Sequence, residues 1–355
     1  MSQPDSGVRS SLILGDMSWH PLVPAWISPR RLSGADYVIL ITGGTGSFGQ
    51  AFTRYLLDSP SPPRIRIYSR DEAKQEDMLR EFGDNSRLTF IIGDVRDAAK
   101  LRIAMDSVDA VVHAAALKRV PAGEQHADEF AKTNVTGTQN VIEAALLTRV
   151  PRCLFISSDK AVEPVNAYGL SKGIAERIFV QANRLGVTRK CHFSVVRGGN
   201  VWGSRGSVVE RWREETRMGK RMVVTDPTAT RFHLDMQSWC LFVSHVLETM
   251  HGGEIFVPKL RAWGLDDLAR AFGRAPSDVN GRRDGDKRHE WLISSHEIER
   301  TVDADWAYVI ESPDALRQVW NYIPWPGRKV DADFQYSSDC TPRLTIEELR
   351  GLMNG

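Results

Sequence analysis

Cysteine is scarce in this chain. Among 355 residues there are four, Cys153, Cys191, Cys240 and Cys340, far apart and forming no Cys-x-x-Cys pair. They offer no metal-binding pair and read as reduced, mostly packing residues in a reducing compartment. An excess of one charge is also missing: Lys+Arg is 46, Asp+Glu is 45, and the net charge is +1. That balance argues against bulk binding to nucleic acid or to an anionic membrane, while leaving room for a local basic patch around a phosphate. No apolar run approaches the ~20 residues that span a bilayer. The N-terminus lacks a basic region followed by an apolar core, so no secretory signal is expected. The expectation is a cytoplasmic protein without membrane insertion. What is present is ordinary for a globular chain, 42% hydrophobic and 26% charged. The length suits one large domain or two unequal ones.

Residues 1–35 are polar and broken by Pro21, Pro24 and Pro29. They read as an N-terminal extension, with Trp19, Leu22, Val23 and Trp26 as candidates for docking on a subunit. From residue 37 a regular pattern begins. The runs YVILIT (37–42), RIRIYS (64–69), LTFIIGDV (88–95), DAVVHAAA (109–116), RCLFISS (152–158) and HFSVVRGGNV (192–201) are strand-like. Helical stretches such as NVTGTQNVIEAALL (134–147) separate them. Continuous apolar strands alternating with helices predict an α/β fold, a Rossmann-type doubly wound parallel sheet covered on both faces. After about residue 203 the regularity falls, and the tail carries Trp291, Trp306, Trp320 and Trp325. The predicted division is 36–202 for the nucleotide-binding domain, with later segments returning to it. Residues 203–355 form a smaller α/β substrate-binding lobe and tail.

The first strand runs into TGGTGSFG, spaced Gly43-x-x-Gly46-x-x-Gly49. Glycines let the chain turn tightly and bring backbone N–H groups against a pyrophosphate at a helix N-terminus. The pattern follows a strand and opens a helix, which is the context it needs. Thr45, Ser47 and Phe48 lie within the same loop and helix start. The second strand ends at Ser69-Arg70-Asp71, about 20 residues on, where an acid would hold the ribose of NAD and an arginine the 2′-phosphate of NADP. Arg70 with Lys74 favours NADP; Asp71 keeps NAD as the alternative, and Arg70 facing solvent is the plainer reading. Asp94 and Val95 end the third strand near the adenine. Ala114, Ala115 and Ala116 offer small residues for the nicotinamide half, or for tight helix–sheet packing.

Tyr168 and Lys172 are four apart, so they share a helix face. A cation near a phenol lowers its pKa from about 10. Such a tyrosine can take a proton from a sugar hydroxyl while hydride leaves for a nicotinamide. Ahead of it stand Asp159 and Lys160, an acid and a base side by side. A ketone at one sugar carbon makes the neighbouring C–H acidic. A base can then remove that proton and an acid can help the next hydroxyl leave as water. This requires a protonated acid and a neutral lysine. Burial favours both, since it raises an Asp pKa and lowers a Lys pKa. Both can reach one substrate only where the strand has ended. A surface ion pair is the competing reading.

The glycine loop and Tyr168-x-x-x-Lys172 resemble the extended short-chain dehydrogenase/reductases. More narrowly, YSRDEAKQ, IIGDVRD, HAAALKRVP, KTNVTGTQNVIEAA, ISSDKAVEPVNAYGLSK, GNVWGSRGSV, GDKRHEWLIS and YSSDCTPRLTIEEL are similar to the inverting UDP-N-acetylglucosamine 4,6-dehydratases. These enzymes make 6-deoxy-4-keto sugars for pseudaminic acid and capsule. The resemblance spans roughly residues 37 to 352. It implies that Tyr168, supported by Lys172, is the base for oxidation at carbon 4. Lys160 would take the proton at carbon 5, and Asp159 would protonate the hydroxyl leaving carbon 6. Hydride would return to carbon 6 and carbon 5 would invert. Asn200, Arg231, Arg283 and Glu290 match positions that hold the nucleotide sugar, with Lys118, Ser158, Ser204 and Arg205 as neighbours. Ser157 and Lys118 border the cofactor. No metal is implied. A nucleotide-sugar substrate and a homo-oligomer, dimer to hexamer, are. An epimerase or oxidoreductase of the same superfamily is the alternative.

This chain departs from the resemblance in its substrate half. It has Arg197-Gly198-Gly199-Asn200 where Arg-Tyr-Gly-Asn is usual, and Arg283-Asp284-Gly285-Asp286-Lys287 where Arg-Pro-Gly-Glu-Lys is usual. Ala127 and Glu210 stand near missing prolines, and His233 replaces a common aromatic.

Overall fold

Six of the apolar runs become parallel strands: β1 (Val38–Thr42), β2 (Arg64–Ser69), β3 (Leu88–Ile92), β4 (Ala110–His113), β5 (Arg152–Ser158) and β6 (His192–Gly198). The computed structural model describes residue 34 and residues 36–204, 206–273, 278–279, 281–317 and 322–354. Trp19, Leu22, Val23, Trp26, Arg205 and Trp320 lie outside the described residues. The strands lie in the order β3-β2-β1-β4-β5-β6. The chain from the C-terminal half continues this sheet. Ile255–Pro258 pairs parallel to β6, and Ala307–Ile310 and Thr301–Asp303 add antiparallel strands beyond it.

Alternation along the strands builds two cores, one on each face of the sheet. In β1, Ile39 and Ile41 pack with Phe52 and Phe242 on one face, while Leu40 packs with Val111, Phe155 and Phe179 on the other. The first face is covered by helices Ser47–Leu57 and Met236–Thr249, and the second by Ala98–Ala104, Gly137–Thr148 and Ala167–Gln181. A third, smaller core forms around Trp212, Trp263, Leu268 and Leu349. It belongs to helices Val208–Arg217, Leu265–Ala271 and Ile346–Asn354, beside a three-stranded sheet of Asn200–Val201, Thr230–Leu234 and Ala262–Gly264. This is an α/β doubly wound fold with a smaller lobe. Among the described residues no helix is long and apolar enough to cross a membrane. Cys153, Cys191 and Cys240 are buried, and Cys340 is exposed.

One buried charge ties the sheet to both flanking segments. Arg197, near the end of β6, is 4% exposed. Its guanidinium donates to Glu176 of helix Ala167–Gln181 (Nη2 at 2.7 Å, Nε at 3.0 Å). It also donates to Glu297 (2.7 and 2.8 Å) and to the Leu292 carbonyl (3.0 Å). Burial would raise the Glu297 carboxyl, but Arg197 and the Ser294 donors outweigh it and hold it at about 2. Replacing one member of such a network strands its partners in a dry interior. Arg197→Met is therefore expected to lower stability by about 3–5 kcal/mol, read as the shift of the urea midpoint. Because Glu297 has its pKa depressed from 4.5, its share of stability is complete above about pH 4.5 and is lost as pH falls toward 2. A midpoint unchanged by the substitution would refute this role.

Candidate active site

β1 ends at Thr42 and the chain turns at Gly43, whose φ is +68°. A Cβ there would come within 2.8 Å of the Ala115 Cα, so the loop lies directly against the chain that follows β4. A Cβ on Gly49 would meet the Gly44 carbonyl oxygen at 2.4 Å, so the helix start lies equally close to the loop. Helix Ser47–Leu57 has Gly46 as its N-cap and no side chain caps it. Its first N–H groups are left for a ligand, beside Ser47 and Phe48. The Thr45 and Ser69 hydroxyls meet at 2.7 Å, fastening the loop to the end of β2.

At that end Asp71 caps helix Glu72–Phe82, accepting from the Lys74 N–H at 3.1 Å and from the Lys74 ammonium. Lys74 is therefore turned to Asp71. Arg70 is half exposed and reaches Asp94 at 3.4 Å. Burial would raise the Asp94 carboxyl, but Arg96 and Arg70 outweigh it. Val95 is buried, where a Cβ on Gly137 would meet its Cγ2 at 2.7 Å. Ala114 and Ala115 donate N–H groups to the Thr42 carbonyl and hydroxyl (3.1 and 3.3 Å). Ala116 is partly buried, while Lys118 is exposed.

β5 ends at Ser158, and Asp159–Ala161 form a single 3-10 turn. The strand has ended where the two reacting groups begin, so both can face one side. Asp159 is fully buried, which rules out the surface ion pair. Its Oδ1 accepts from the Ser158 hydroxyl (2.6 Å) and from the Lys160 ammonium (3.0 Å). Its Oδ2 is buried with no hydrogen-bond partner among the described residues. Lys160 also faces Glu290 at 3.3 Å. Glu290 in turn faces Arg231 (3.7 Å) and Lys287 (3.6 Å). Burial would raise the Glu290 carboxyl, but the three cations overcome it and lower it. The opposite happens to Lys160. Burial acts to lower its pKa, yet Asp159 and Glu290 outweigh burial and raise it above the ordinary lysine value. The expected lowering of the Lys160 pKa by burial is thus corrected.

Tyr168 and Lys172 sit on one face of helix Ala167–Gln181, both buried. Burial pushes the Tyr168 phenol up to about 12, with Lys160 and the Ser158 hydroxyl pulling against it. The Lys172 ammonium donates to the Ile156 carbonyl at 2.7 Å and lies 4.2 Å from the centre of the Phe155 ring. Burial, opposed by Glu176, brings it down to about 7. At rest the charge preferences of the two lysines are the reverse of those expected. The cation acting on the phenol is Lys160, and the lysine that readily loses its charge is Lys172. Burial lowers Lys172, while Asp159 first and then Glu290, from the C-terminal half, raise Lys160.

The remaining expected residues are distributed as follows. Ser157 Oγ and Asn200 Oδ1 are buried without a hydrogen-bond partner among the described residues. Arg231 Nη1 donates to the Thr230 and Arg288 carbonyls (2.7 and 3.0 Å) and Nη2 to that of Lys287 (3.0 Å). Arg283 is half exposed and pairs with Asp286 at 2.9 Å. Ser204 accepts the Ser207 N–H through its carbonyl (2.9 Å), and Glu210 takes the Gly206 N–H. That carboxylate stands at the start of helix Val208–Arg217.

Sequence reasoning missed three residues. Asn134 binds both backbone groups of Leu117 (2.8 and 2.9 Å) and the Ser171 hydroxyl (2.9 Å). It lies in a π-helical turn, Ala131–Thr136, a feature common at functional sites. Its signal was the Thr133-Asn134 pair beside a helical run, since Thr and Asn favour helix interiors poorly. Asn166 caps helix Ala167–Gln181 and donates to the Gly285 carbonyl at 2.7 Å, docking the 283–290 segment on the reacting helix. Lys287 donates to the Val162 carbonyl, with the Asp159 carbonyl 3.4 Å away. A Cβ on Gly169 would fall 2.2 Å from the Lys160 carbonyl oxygen, so helix and turn touch there.

A profile of the family described as polysaccharide biosynthesis protein matches residues 39–312. The chain belongs to that family. Its relatives include the UDP-N-acetylglucosamine 4,6-dehydratase (inverting) of Campylobacter jejuni subsp. jejuni serotype O:23/36 (strain 81-176), 42% identical over 324 residues, 89% of this chain and 97% of that protein. The UDP-glucose 4-epimerase of Rickettsia bellii (strain OSU 85-389) is 38% identical over 326 residues, 90% of this chain and 95% of that protein. Among solved structures, Pen from Bacillus thuringiensis superposes with a TM-score of 0.82 at 31% identity, covering 90% of this chain and 98% of that one. DesIV, the dTDP-glucose 4,6-dehydratase of Streptomyces venezuelae, shares the fold of this chain at a TM-score of 0.63 and 24% identity, covering 70% of this chain and 86% of that one.

The Lys172 reading predicts a pH effect on stability. Folded, Lys172 loses its proton near pH 7; unfolded, it keeps it to about 10.5. Between those values the unfolded chain binds more protons, so this contribution to stability rises with pH. Relative to Lys172→Met, the unmodified protein should gain up to ~1.4 kcal/mol per pH unit from pH 7 toward pH 10 in denaturant titrations. A flat difference across that range would show Lys172 to be ordinarily charged.

Proposed function

We propose that this protein is an inverting UDP-N-acetylglucosamine 4,6-dehydratase that uses NADP. One observation carries the reading. A buried acid, Asp159, and a partly buried base, Lys160, lie 3.0 Å apart beside a buried tyrosine. Inverting a hydroxyl or oxidising it needs the tyrosine alone. Removing water needs a proton taken from one carbon and another given to the neighbouring oxygen.

The uncapped helix at Gly46 and the close approach of Gly43 to Ala115 fit a dinucleotide pyrophosphate. A nicotinamide held there would supply hydride acceptance and return for the sugar's carbons 4 and 6. Tyr168, once its phenol has lost its proton to solvent, a state the Lys160 cation favours, takes the proton of the 4-hydroxyl. Lys160 then removes the carbon-5 proton, after passing its own to Asp159 across their hydrogen bond. That transfer turns an ion pair into a neutral pair, the state a dry site favours. Asp159 protonates the hydroxyl leaving carbon 6. The neutral lysine and the protonated carboxyl thus arise together. NADP is favoured because the Asp71 carboxylate is engaged by its helix and by Lys74, while Arg70 is half exposed.

In this reading residues 36–202 hold the cofactor and 203–355 the sugar nucleotide, with Asn200, Arg231, Arg283 and Glu290 around it. The enzyme works in the cytoplasm as a homo-oligomer, dimer to hexamer. Leu170 and Ile174, exposed one turn apart on helix Ala167–Gln181, support self-association. A second reading, UDP-sugar 4-epimerase, is favoured by the Rickettsia relatives.

Incubation with UDP-N-acetylglucosamine in heavy water separates the two. The expected product is lighter by one water and carries deuterium at carbon 5. A product of unchanged mass with the 4-hydroxyl inverted would establish the epimerase instead. Lys160→Met should reduce water loss about 100-fold or more while cofactor binding persists. Arg70→Ala should weaken NADP about tenfold or more and leave NAD unaffected, as judged by titration of cofactor fluorescence. Equal losses for both cofactors would remove the case for NADP.

A further inference from the structure

We propose that Lys287 is a positioning residue for the acid–base pair: it clamps the Asp159–Lys160 turn and, by sharing Glu290, sets how firmly Lys160 holds its proton. The inference rests on the dehydratase reading above. Lys287 comes from the segment between Arg283 and Glu290, 127 residues after Lys160 in the chain (287 − 160). Its ammonium donates to the Val162 carbonyl, lies 3.4 Å from the Asp159 carbonyl and faces Glu290 Oε2 at 3.6 Å. Only 9% of the side chain is exposed. The ammonium is therefore directed at the protein, toward the two main-chain oxygens that flank Lys160.

The charges around this point come from every element that meets there. The turn gives Asp159 and Lys160, the reacting helix gives Tyr168, and strand Thr230–Leu234 gives Arg231. The 287–290 segment gives Lys287 and Glu290. Two carboxylates thus face three cations. Lys160 competes with Arg231 and Lys287 for the one Glu290 carboxylate. Remove Lys287, and more of that negative charge falls on Lys160, whose ammonium is then held harder. The reactive form carries one proton between Asp159 and Lys160, so the ascending limb of the rate reports loss of the pair's other proton to solvent, and removing a nearby cation moves that limb to higher pH. The same removal frees the Val162 carbonyl and loosens the turn.

The test is the pH dependence of kcat for water loss from UDP-N-acetylglucosamine, in the full-length protein with cofactor. In Lys287→Met the ascending limb should move to higher pH by on the order of one unit, so that kcat below the limb falls about tenfold. KM should change less than about threefold, because the ammonium is engaged by main-chain carbonyls of the turn. Lys287→Arg, which keeps the charge, should restore most of the limb position. Glu290→Gln should move the limb the other way, to lower pH. A purely structural role would lower the rate at every pH without moving the limb, and that result overturns the inference. If Lys287→Met fails to fold by circular dichroism, the Glu290→Gln limb decides, and a limb that stays in place or rises overturns it. Water loss by the unmodified protein with unmoved limbs sinks this inference alone. No water loss by the unmodified protein sinks the dehydratase reading, and this inference with it.

Discussion

Arg197 holds a full positive charge inside the protein, and the active site is arranged around its two carboxylate partners. Glu176 lies one helical turn beyond Lys172, so the acid that steadies the arginine is also the counter-charge of that lysine. Glu297 begins the segment after strand Trp291–Ile293 and is held by Ser294. The Leu292 carbonyl is bound by Arg197 itself, two residues from Glu290. From one guanidinium, then, lines of contact run to both lysines of the reacting segment. A buried ion network of this kind adds little net stability compared with an apolar replacement, but it fixes geometry and fails badly when incomplete.

The two lysines are chemically alike and electrostatically opposite. Lys172 sits over an aromatic ring under the sheet with a single carboxylate, already shared, to support its charge. Lys160 sits between two carboxylates. Burial acts against the charge of both, and the count of nearby anions decides which one keeps it. A bound substrate and cofactor bring phosphates and hydroxyls into the same space, so the resting assignment is the state from which catalysis must depart. The 3.0 Å contact between Lys160 and Asp159 gives that departure a short route, because a proton moved along it changes no net charge.

The sheet was legible because strands buried on both faces read as continuous apolar runs; RCLFISS matches β5 at both ends. The end of β5 before Asp159 was legible too, because two groups with one target cannot sit on a regular strand. The lysine roles were not. They depend on burial and on Glu290 as well as on the adjacent Asp159, and no local pattern carries a depth or a cross-chain distance. Lys287 was hidden for the same reason, its partners being main-chain carbonyls that every residue possesses. Asn134 left a faint mark as a polar interruption in a helix, and Glu210 showed only as a residue in an unusual place. The Lys74–Asp71 pairing follows from helix-capping chemistry and was within reach, since an acid before a helix prefers its own N–H groups to a ligand.

Position 169 has a consequence of another kind. The helix bearing Tyr168 rests on the turn bearing Lys160 through a glycine with no room for one more carbon. Everything else that relates phenol to amine is charge, and charge answers to salt, to acidity and to whatever binds. The separation of the two backbones does not. It is set by the size of a hydrogen atom. The site can therefore change its protonation through a whole catalytic cycle while its two halves keep a constant distance, like electrical contacts mounted on a ceramic spacer.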